Sequence, residues 1–198
     1  MQPMKKRKRA GHVFLLAFGV FWTAFSLLLT ASGAGVFGLF FVAVGLALIG
    51  FGLAPMVAAL KAEPPQVTMS RDAVRVGESF TVAYRQRFRR PVSGVRVRLE
   101  WLFRESATYR RGTDTFTDTH ERMLGEWEHP GRAFSAGQEF VEEQTFAVPP
   151  DAMHTFAAPR NTLRYFVRVR VEMPGWPDVR EEYEVRVPPQ HVSQRKEK

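Results

Sequence analysis

A long uncharged segment near the start of the chain constrains the fold more than any other feature. No Lys, Arg, Asp or Glu occurs from His12 to Leu60. One membrane-spanning helix needs about 20 apolar residues, so this segment is too long for one span and suits two. Small and turn-forming residues interrupt it from Thr30 to Gly35. We therefore predict a transmembrane helical hairpin in residues 12–60, with spans at about 12–30 and 36–56.

Three glycines recur every seven residues in the second predicted span, at Gly38, Gly45 and Gly52. This spacing places them on one face of a helix, where the missing side chains allow a neighbouring backbone to approach closely. We favour packing of the two helices along this face. The alternative is that glycine is simply common in membrane helices.

A cluster of basic residues precedes the first span and consists of Lys5, Lys6, Arg7, Lys8 and Arg9. The positive-inside rule keeps such clusters in the cytoplasm. We therefore predict a two-pass protein of the cell (plasma or inner) membrane, with the N-terminal residues 1–11 and the C-terminus both cytoplasmic. The cluster could also attract anionic lipid headgroups, although retention of the N-terminus in the cytoplasm accounts for it without lipid binding. A cleaved signal peptide is the competing interpretation, and the second segment would then stop translocation and still leave the domain in the cytoplasm.

The positive charge of the chain is concentrated beside the apolar segment. The formal net charge is +8, yet residues Met1 to Lys61 contain basic residues and no Asp or Glu, which leaves the rest of the chain close to neutral. A domain that grips nucleic-acid phosphates would carry the excess itself. The distribution therefore argues against nucleic-acid binding. The absence of cysteine also excludes disulfides, thiolate metal sites and cysteine nucleophiles.

The residues after the apolar segment predict an all-β domain. A short Pro-containing linker at 61–66 precedes the domain at 67–188, and a polar tail occupies 189–198. Apolar and polar residues alternate in short stretches bounded by turn-forming residues, which is typical of an immunoglobulin-like sandwich. About seven strands are predicted: Gln66–Ser70, Ser79–Phe88, Val95–Phe103, an irregular pair within Thr108–Glu128, Glu139–Val148, Leu163–Met173 and Arg180–Val187. The segment Thr108 to Ala136 is either a long hairpin or a functional loop.

Alternation also predicts which residues form the core. The core set comprises Phe80, Val82, Tyr84, Val95, Val97, Leu99, Trp101, Val167, Val169 and Val171. For the last hairpin, a register that pairs Val167 with Val185 and Val169 with Tyr183 also pairs Arg168 with Glu184, Arg170 with Glu182 and Glu172 with Arg180. Because opposite charges across strands stabilise a sheet, we interpret this arginine row as a solvated, self-neutralised face.

A second arginine group has no acidic residue within it and consists of Arg85, Arg87, Arg89 and Arg90. It could contact anionic lipid or a phosphorylated partner. The alternative is a solvated strand end that pairs with acids elsewhere, such as Glu139, Glu142 or Glu143. Trp176 lies in a predicted loop, where a tryptophan either marks a contact surface or caps the end of the core.

The C-terminal part of the chain resembles the arrestin-like β-sandwich family. The resemblance rests on Phe146 to Val187, where a strand ends in a Pro-Pro turn and a loop leads to the long strand in "LRYFVRVRV" and a final strand. "AVRVGESFTV", Ala73 to Val82, resembles the opening hairpin of such sandwiches. The resemblance implies an adaptor that binds receptors, phosphorylated tails or coat components with two sandwiches. This chain has length for one sandwich, and no contact residue of the family maps onto it.

Residue patterns for catalysis or cofactor binding are missing from the sequence. No histidine lies in a ligand-spaced cluster, and no P-loop, dinucleotide fingerprint or nucleophile elbow occurs. Asp114 and Asp118 lack the glycine and distal glutamate of a calcium loop. We therefore expect no cofactor and a non-catalytic adaptor or scaffold that binds a protein, of unknown identity, at the cytoplasmic face. The alternatives are a structural envelope protein with the sandwich outside the membrane and, third, an enzyme with an unrecognised site.

Overall fold

The computed structural model describes residues 2–4 and 11–189. After the short strand β1 (Gln2–Pro3), two helices follow: α1 (Gly11–Leu29) and α2 (Gly35–Ala59). A π-helical turn at Thr30–Ala34 joins them, with positive φ angles at Gly33 (105°) and Gly35 (53°). Glycine adopts such angles at little cost, so the chain reverses where the sequence placed the turn. Both helices are long and apolar enough to cross a membrane, by length and composition.

Close contacts between α1 and α2 centre on the predicted glycines. A Cβ atom on Gly45 would lie 2.9 Å from the backbone nitrogen of Thr23, and one on Gly52 would lie 2.8 Å from that of Leu16. Gly38 faces Thr30 in the same way, and Gly19 of α1 faces Ile49. The backbones therefore meet along the predicted face of α2, and a role of these glycines in helix stability remains a prediction that substitution tests.

The two sheets of the sandwich follow the helices. One sheet has the order β1-β2-β3-β6, and the other has the order β5-β4-β8 with β7 and β9 on successive parts of the outer edge of β8. The strands are β2 (Gln66–Met69), β3 (Ser79–Arg87), β4 (Val92–Arg111), β5 (Asp114–Phe134), β6 (Glu139–Ala147), β7 (Phe156–Ala157), β8 (Asn161–Glu172) and β9 (Val179–Val185). The predicted class, a sandwich preceded by a two-helix hairpin, is confirmed.

The core between the sheets contains the residues that alternation predicted. Trp101 is fully buried, packs edge-on to Phe80 at 4.9 Å between ring centroids and stacks on Tyr165 at 5.4 Å. Its indole N–H donates to the Ala147 carbonyl at 3.1 Å, so burial leaves no unpaired donor. Trp176, in the β8–β9 loop, and Trp127, in β5, are partly buried and pack against the edge of this core.

The predicted register of the β8–β9 hairpin is wrong by two residues. Val167 pairs with Tyr183, Arg168 with Glu182 and Arg170 with Arg180. A shift of two residues keeps every side chain on its own face, so alternation could not distinguish the two registers. The observed register places Arg168 between Glu182 on one neighbouring strand and Glu100 on the other.

The segment between α2 and β2 is bonded to the sandwich along its length. The backbone N–H groups of Glu63 and Arg89 donate to the carbonyls of Arg87 and Lys61, at 2.9 Å and 2.7 Å. Two buried side chains reach the same segment from the core: Gln86 donates to the Glu63 carbonyl at 2.8 Å, and the Tyr183 hydroxyl, which is shared with the Glu181 carboxylate at 2.6 Å, lies 3.1 Å from the Pro65 carbonyl. The predicted linker is therefore a fixed connection between the helices and the sandwich.

Substitution of Gly45 tests the packing role of the α2 glycines. We expect Gly45→Leu to destabilise the helical hairpin by about 1–3 kcal/mol, because the new side chain would overlap the backbone of Thr23. Gly50→Leu is the matched control, since nothing lies within 4 Å of a Cβ built at Gly50. The measurement is helical circular dichroism of the full chain during titration of a mild detergent with SDS. Equal midpoints for the two variants would contradict the packing role.

Candidate functional site

A long β-hairpin, formed by β4 and β5, projects from the sandwich. Its ladder runs from the Val92–Phe134 pair to the Arg111–Asp114 pair, and Gly112, with a φ of 65°, starts the two-residue turn. The last pair between β4 and its other neighbour, β8, is Ala107–Asn161. The tip therefore extends roughly 13 Å beyond that pair, at about 3.3 Å per residue. The segment that the sequence left open as a hairpin or a loop is a hairpin.

Cross-strand pairs stabilise the hairpin from Ser106, where β8 still pairs with β4, to the tip beyond it. The hydroxyl groups of Thr108 and Thr117 lie 2.9 Å apart, and those of Ser106 and Thr119 lie 3.1 Å apart. The rings of Tyr109 and Phe116 stack with centroids 5.9 Å apart, and both side chains are close to half exposed. Such pairs each contribute about 0.2–1 kcal/mol, which explains how an isolated ribbon keeps its shape.

The outer edge of β5 is open along the hairpin. Among the described strands β5 pairs only with β4, so its other edge presents backbone groups to solvent. The N–H of Thr108 donates to the Arg160 carbonyl at 2.6 Å, on the side of β4 that faces away from β5. Thr108 and Thr117 are therefore a non-hydrogen-bonded pair, and the backbone N–H of Thr117 points to the open edge.

A buried ion-pair network fixes the base of this hairpin to the rest of the sheet. Arg168 on β8 donates to Glu182 on β9 (3.0 Å), to Glu100 on β4 (3.0 Å) and to Glu121 on β5 (2.8 Å). Arg104 on β4 adds bonds to Glu121 at 2.7 Å and to Glu182 at 2.9 Å. Four neighbouring strands are joined in this way at Glu100 and Arg104, before the last β4–β8 pair at Ala107.

Protonation states in the network follow from its hydrogen bonds. Burial opposes ionisation of Glu182, but hydrogen bonds from Arg104 and Arg168 outweigh it and lower the pKa of that carboxyl to about 2. Burial also opposes ionisation of Glu121, and hydrogen bonds from Arg104 and Arg168 outweigh it and lower the pKa of that carboxyl. Glu182 and Glu121 are therefore charged at neutral pH, and each guanidinium has several partners. Such a network stabilises only when complete, since loss of one member leaves a buried charge unpaired.

The network corrects the interpretation of the arginine row as a solvated face. Arg168 is 7% exposed, Glu182 is 4% exposed and Glu100 is 5% exposed. The guanidinium of Arg104 also lies 4.5 Å from the ring of Phe166, which is buried on the same outer face. Long arginine side chains therefore cover apolar surface on this face, whereas alternation alone could only separate the two faces of the sheet.

The second arginine group divides between two surfaces. Arg85 lies on the outer face of β3, 3.6 Å from Glu139, which is one of the acids that the sequence suggested, and Arg87 lies opposite Glu139 in the β3–β6 ladder. Arg89 and Arg90 lie in the β3–β4 loop beside the end of α2, and Arg89 is 3.7 Å from Glu63. Trp176 lies near this loop, with the ammonium of Lys61 at 4.5 Å from its ring.

A cavity of 350 Å³ lies between the helical hairpin and β9. Its described lining includes Ala54, Pro55 and Ala58 of α2, together with the ionisable residues His12, Glu63, Asp178, Arg180, Glu181 and Glu182. This lining contains no Ser, Thr, Cys or Lys side chain that could serve as a nucleophile. No group of three potential metal ligands occurs within residues 2–4 and 11–189. Asp114 and Asp118 lie in β5, outside any loop.

The fold is similar to that of a sporulation control protein of known structure. Spo0M, the sporulation control protein from Bacillus subtilis, superposes with a TM-score of 0.52 at 12% sequence identity, over 66% of this chain and 50% of that chain. This chain thus spans half the length of that structure. No family model and no curated protein matches the sequence. The arrestin-like sandwich expected from the sequence is confirmed at the level of fold.

Replacement of Glu182 tests the ion-pair network. We expect Glu182→Gln to lower the free energy of unfolding by about 3 kcal/mol at pH 7, because Arg104 and Arg168 lose one of the two carboxylates that they share. The folded pKa is depressed from 4.5 to about 2, so the contribution is present above pH 4.5 and is lost as the pH falls towards 2.

The control is Glu184→Gln, on the same face of β9 but exposed, and it should cost less than about 1 kcal/mol. Denaturant unfolding of the full chain in detergent, followed by tryptophan fluorescence between pH 7 and pH 2, measures both effects. A stabilising network would be contradicted if both variants lost a similar free energy of unfolding. It would also be contradicted if the stability of Glu182→Gln fell with pH in the same way as that of the unsubstituted protein.

Proposed function

We propose that this chain is a two-pass membrane protein whose sandwich lies in the cytoplasm and recruits a protein partner, without catalysis of its own. The observation that carries the proposal is the projecting β4–β5 hairpin with its open β5 edge, on a sandwich that is rigidly joined to two apolar helices. The partner would bind at a fixed place relative to the membrane, and the protein would serve as an anchor or scaffold.

Strand pairing supports a placement of the N-terminus and the sandwich on the same side of the membrane. Strand β1 pairs with β2, with Gln2 opposite Met69 and Pro3 opposite Thr68. A chain that crosses twice returns to the side on which it began, as this pairing requires. The basic residues Lys5, Lys6, Arg7, Lys8 and Arg9 lie outside the described residues, and by the positive-inside rule they favour the cytoplasm for that side.

The geometry of the hairpin supports binding by strand addition. β4 begins beside the end of α2 and has 20 residues, so the tip lies on the order of 60 Å along the strand from the helices. An open edge binds an extended peptide through backbone hydrogen bonds, with side-chain pockets adding specificity. Such binding leaves little trace in the sequence, which fits the absence of any recognisable motif.

A regulatory rather than catalytic role is supported by the fold and by the chemistry of the cavity. The fold neighbour Spo0M is a sporulation control protein. The described lining of the cavity contains acids, one arginine and one histidine, and no Ser, Thr, Cys or Lys side chain. We therefore propose protein binding as the activity, and membrane lipids as the surroundings of the helices.

Topology reporters test the cytoplasmic placement. A reporter that is active only in the cytoplasm, fused to Lys198, should give signal, and one that is active only outside should not. The reason is that two spans return the chain to the side of its basic N-terminus. Signal from the outside reporter would reverse the topology and favour the structural envelope role instead. Reporters fused in the turn between α1 and α2 should show the opposite pattern and serve as the control.

Substitutions at Thr117 test the open edge. A photo-crosslinking amino acid in place of the exposed Phe116 should capture a partner in intact cells. In that background Thr117→Pro should reduce the crosslink by about tenfold, because proline removes the N–H that points to the open edge and blocks a further strand. No bond of the β4–β5 ladder is lost.

Thr117→Val is the matched control, since it removes the same hydroxyl bond to Thr108 but keeps the N–H. It should retain the crosslink. Equal crosslinking in the proline and valine variants would show that the partner does not use this edge. Loss in both variants would assign the contact to side chains at the tip and would also contradict strand addition.

A further inference from the structure

The membrane-proximal end of the sandwich presents a cationic surface, and its residues are held at the point where α2 ends. Lys61 is the first charged residue after the apolar segment. Its carbonyl accepts hydrogen bonds from the backbone N–H groups of Arg89 and Arg90, at 2.7 Å and 3.3 Å. Ala62 forms a β-bridge with Phe88, whose side chain is fully buried. The β3–β4 loop is therefore fixed against the helix end.

The side chains of this loop point away from the core. Arg89 and Arg90 are exposed, whereas Phe88 between β3 and the arginines stacks on Phe134 at 4.3 Å in the core. Glu63 partly offsets Arg89 at 3.7 Å, with both side chains largely in solvent. Within the described residues Arg90 has no ion-pair partner, so its charge remains available to an external anion.

An aromatic residue completes this surface. Trp176, in the β8–β9 loop, is half-buried against the core, and the ammonium of Lys61 lies 4.5 Å from its ring. Tryptophan and basic side chains at the end of a membrane helix are typical of the headgroup layer. The β5–β6 loop braces the arrangement, since Phe88 exchanges backbone hydrogen bonds with Gly137 and Gln138 at 2.7 Å and 2.9 Å.

We propose that Lys61, Arg89, Arg90 and Trp176 form a binding surface for anionic phospholipid headgroups, which orients the sandwich on the membrane. The inference rests on the membrane anchoring proposed above and names the lipid class. Headgroups lie at the depth of the α2 end, and basic residues near an anionic surface gain about fivefold in binding per charge. Pairing with the headgroup layer would hold the β4–β5 hairpin pointing away from the membrane.

The chain contains no cysteine, which allows a site-specific test with the full-length protein. A single Ser93→Cys substitution, at an exposed position beside the loop, carries an environment-sensitive fluorophore. The labelled protein is placed in lipid nanodiscs of phosphatidylcholine with increasing phosphatidylglycerol. We expect the emission to shift to shorter wavelength as phosphatidylglycerol increases, and the shift to disappear in high salt. A label at Thr113, in the hairpin turn, should not respond.

Charge variants identify the residues responsible. Arg89→Gln with Arg90→Gln should raise the half-maximal phosphatidylglycerol fraction several-fold or abolish the shift, at about fivefold per charge. Arg89→Lys with Arg90→Lys should retain it, because headgroup attraction depends on charge, whereas a phosphoprotein site would depend on the arginine fork. Arg110→Gln with Arg111→Gln removes the same charge at the hairpin tip and should leave the shift unchanged.

Several outcomes would overturn the inference. These are an emission that is independent of phosphatidylglycerol, an unchanged response in the Arg89 and Arg90 glutamine variant, and failure of the lysine variant to respond. A shift produced by soluble glycerol phosphate on phosphatidylcholine nanodiscs would assign the site to free phosphate instead. Protein that stays soluble without lipid or detergent would contradict the membrane anchoring itself. This solubility measurement therefore distinguishes failure of the proposed function from failure of the proposed headgroup binding alone.

Discussion

The fixed connection between α2 and the sandwich is the constraint on which the rest of the structure depends. The chain from Lys61 to Pro65 runs along the sandwich with Ala62 and Pro65 buried, and carbonyl groups in such a segment need hydrogen-bond partners. Gln86 and Tyr183 reach the carbonyls of Glu63 and Pro65 from the core, and the β3–β4 loop bonds that of Lys61. Because these bonds tie the helices to both sheets, the sandwich has one end beside the helices, and the hairpin projects from the opposite end.

The ion-pair network performs a related task at the middle of β4. A two-stranded ribbon on its own is marginally stable and strongly twisted. Arg168 and Arg104 join its base to β8 and β9 through three carboxylates. Burial makes these charges costly to separate, so the network favours one direction for the hairpin. The protein thus places one link near the helices, where β4 begins, and a second at Glu100 and Arg104 in the middle of β4.

This arrangement separates the proposed contacts of the protein in space. Cationic and aromatic groups lie at the end beside the helices, and the open β5 edge continues towards the tip. Arginines therefore have three uses in one domain: buried members of a network, such as Arg168; exposed loop residues, such as Arg90; and tip residues, such as Arg110. The net charge of the chain could not distinguish these three groups of arginines, because they differ in burial and in interaction partners rather than in residue type.

The sequence by itself determined the two helices and the buried faces of most strands, although it divided β4 and β5 into three shorter strands and missed β1 and β7. The uncharged segment predicted two helices, the glycines at 38, 45 and 52 predicted the face of α2 that meets α1, and alternation predicted core residues such as Trp101. Local periodicity suffices for these features because each depends on neighbours along the chain. Only the tertiary structure decided the register of β9, the burial of Arg168 and the fixed linker. Each of these depends on contacts between distant strands, and a slip of two residues or a different partner leaves the local pattern unchanged.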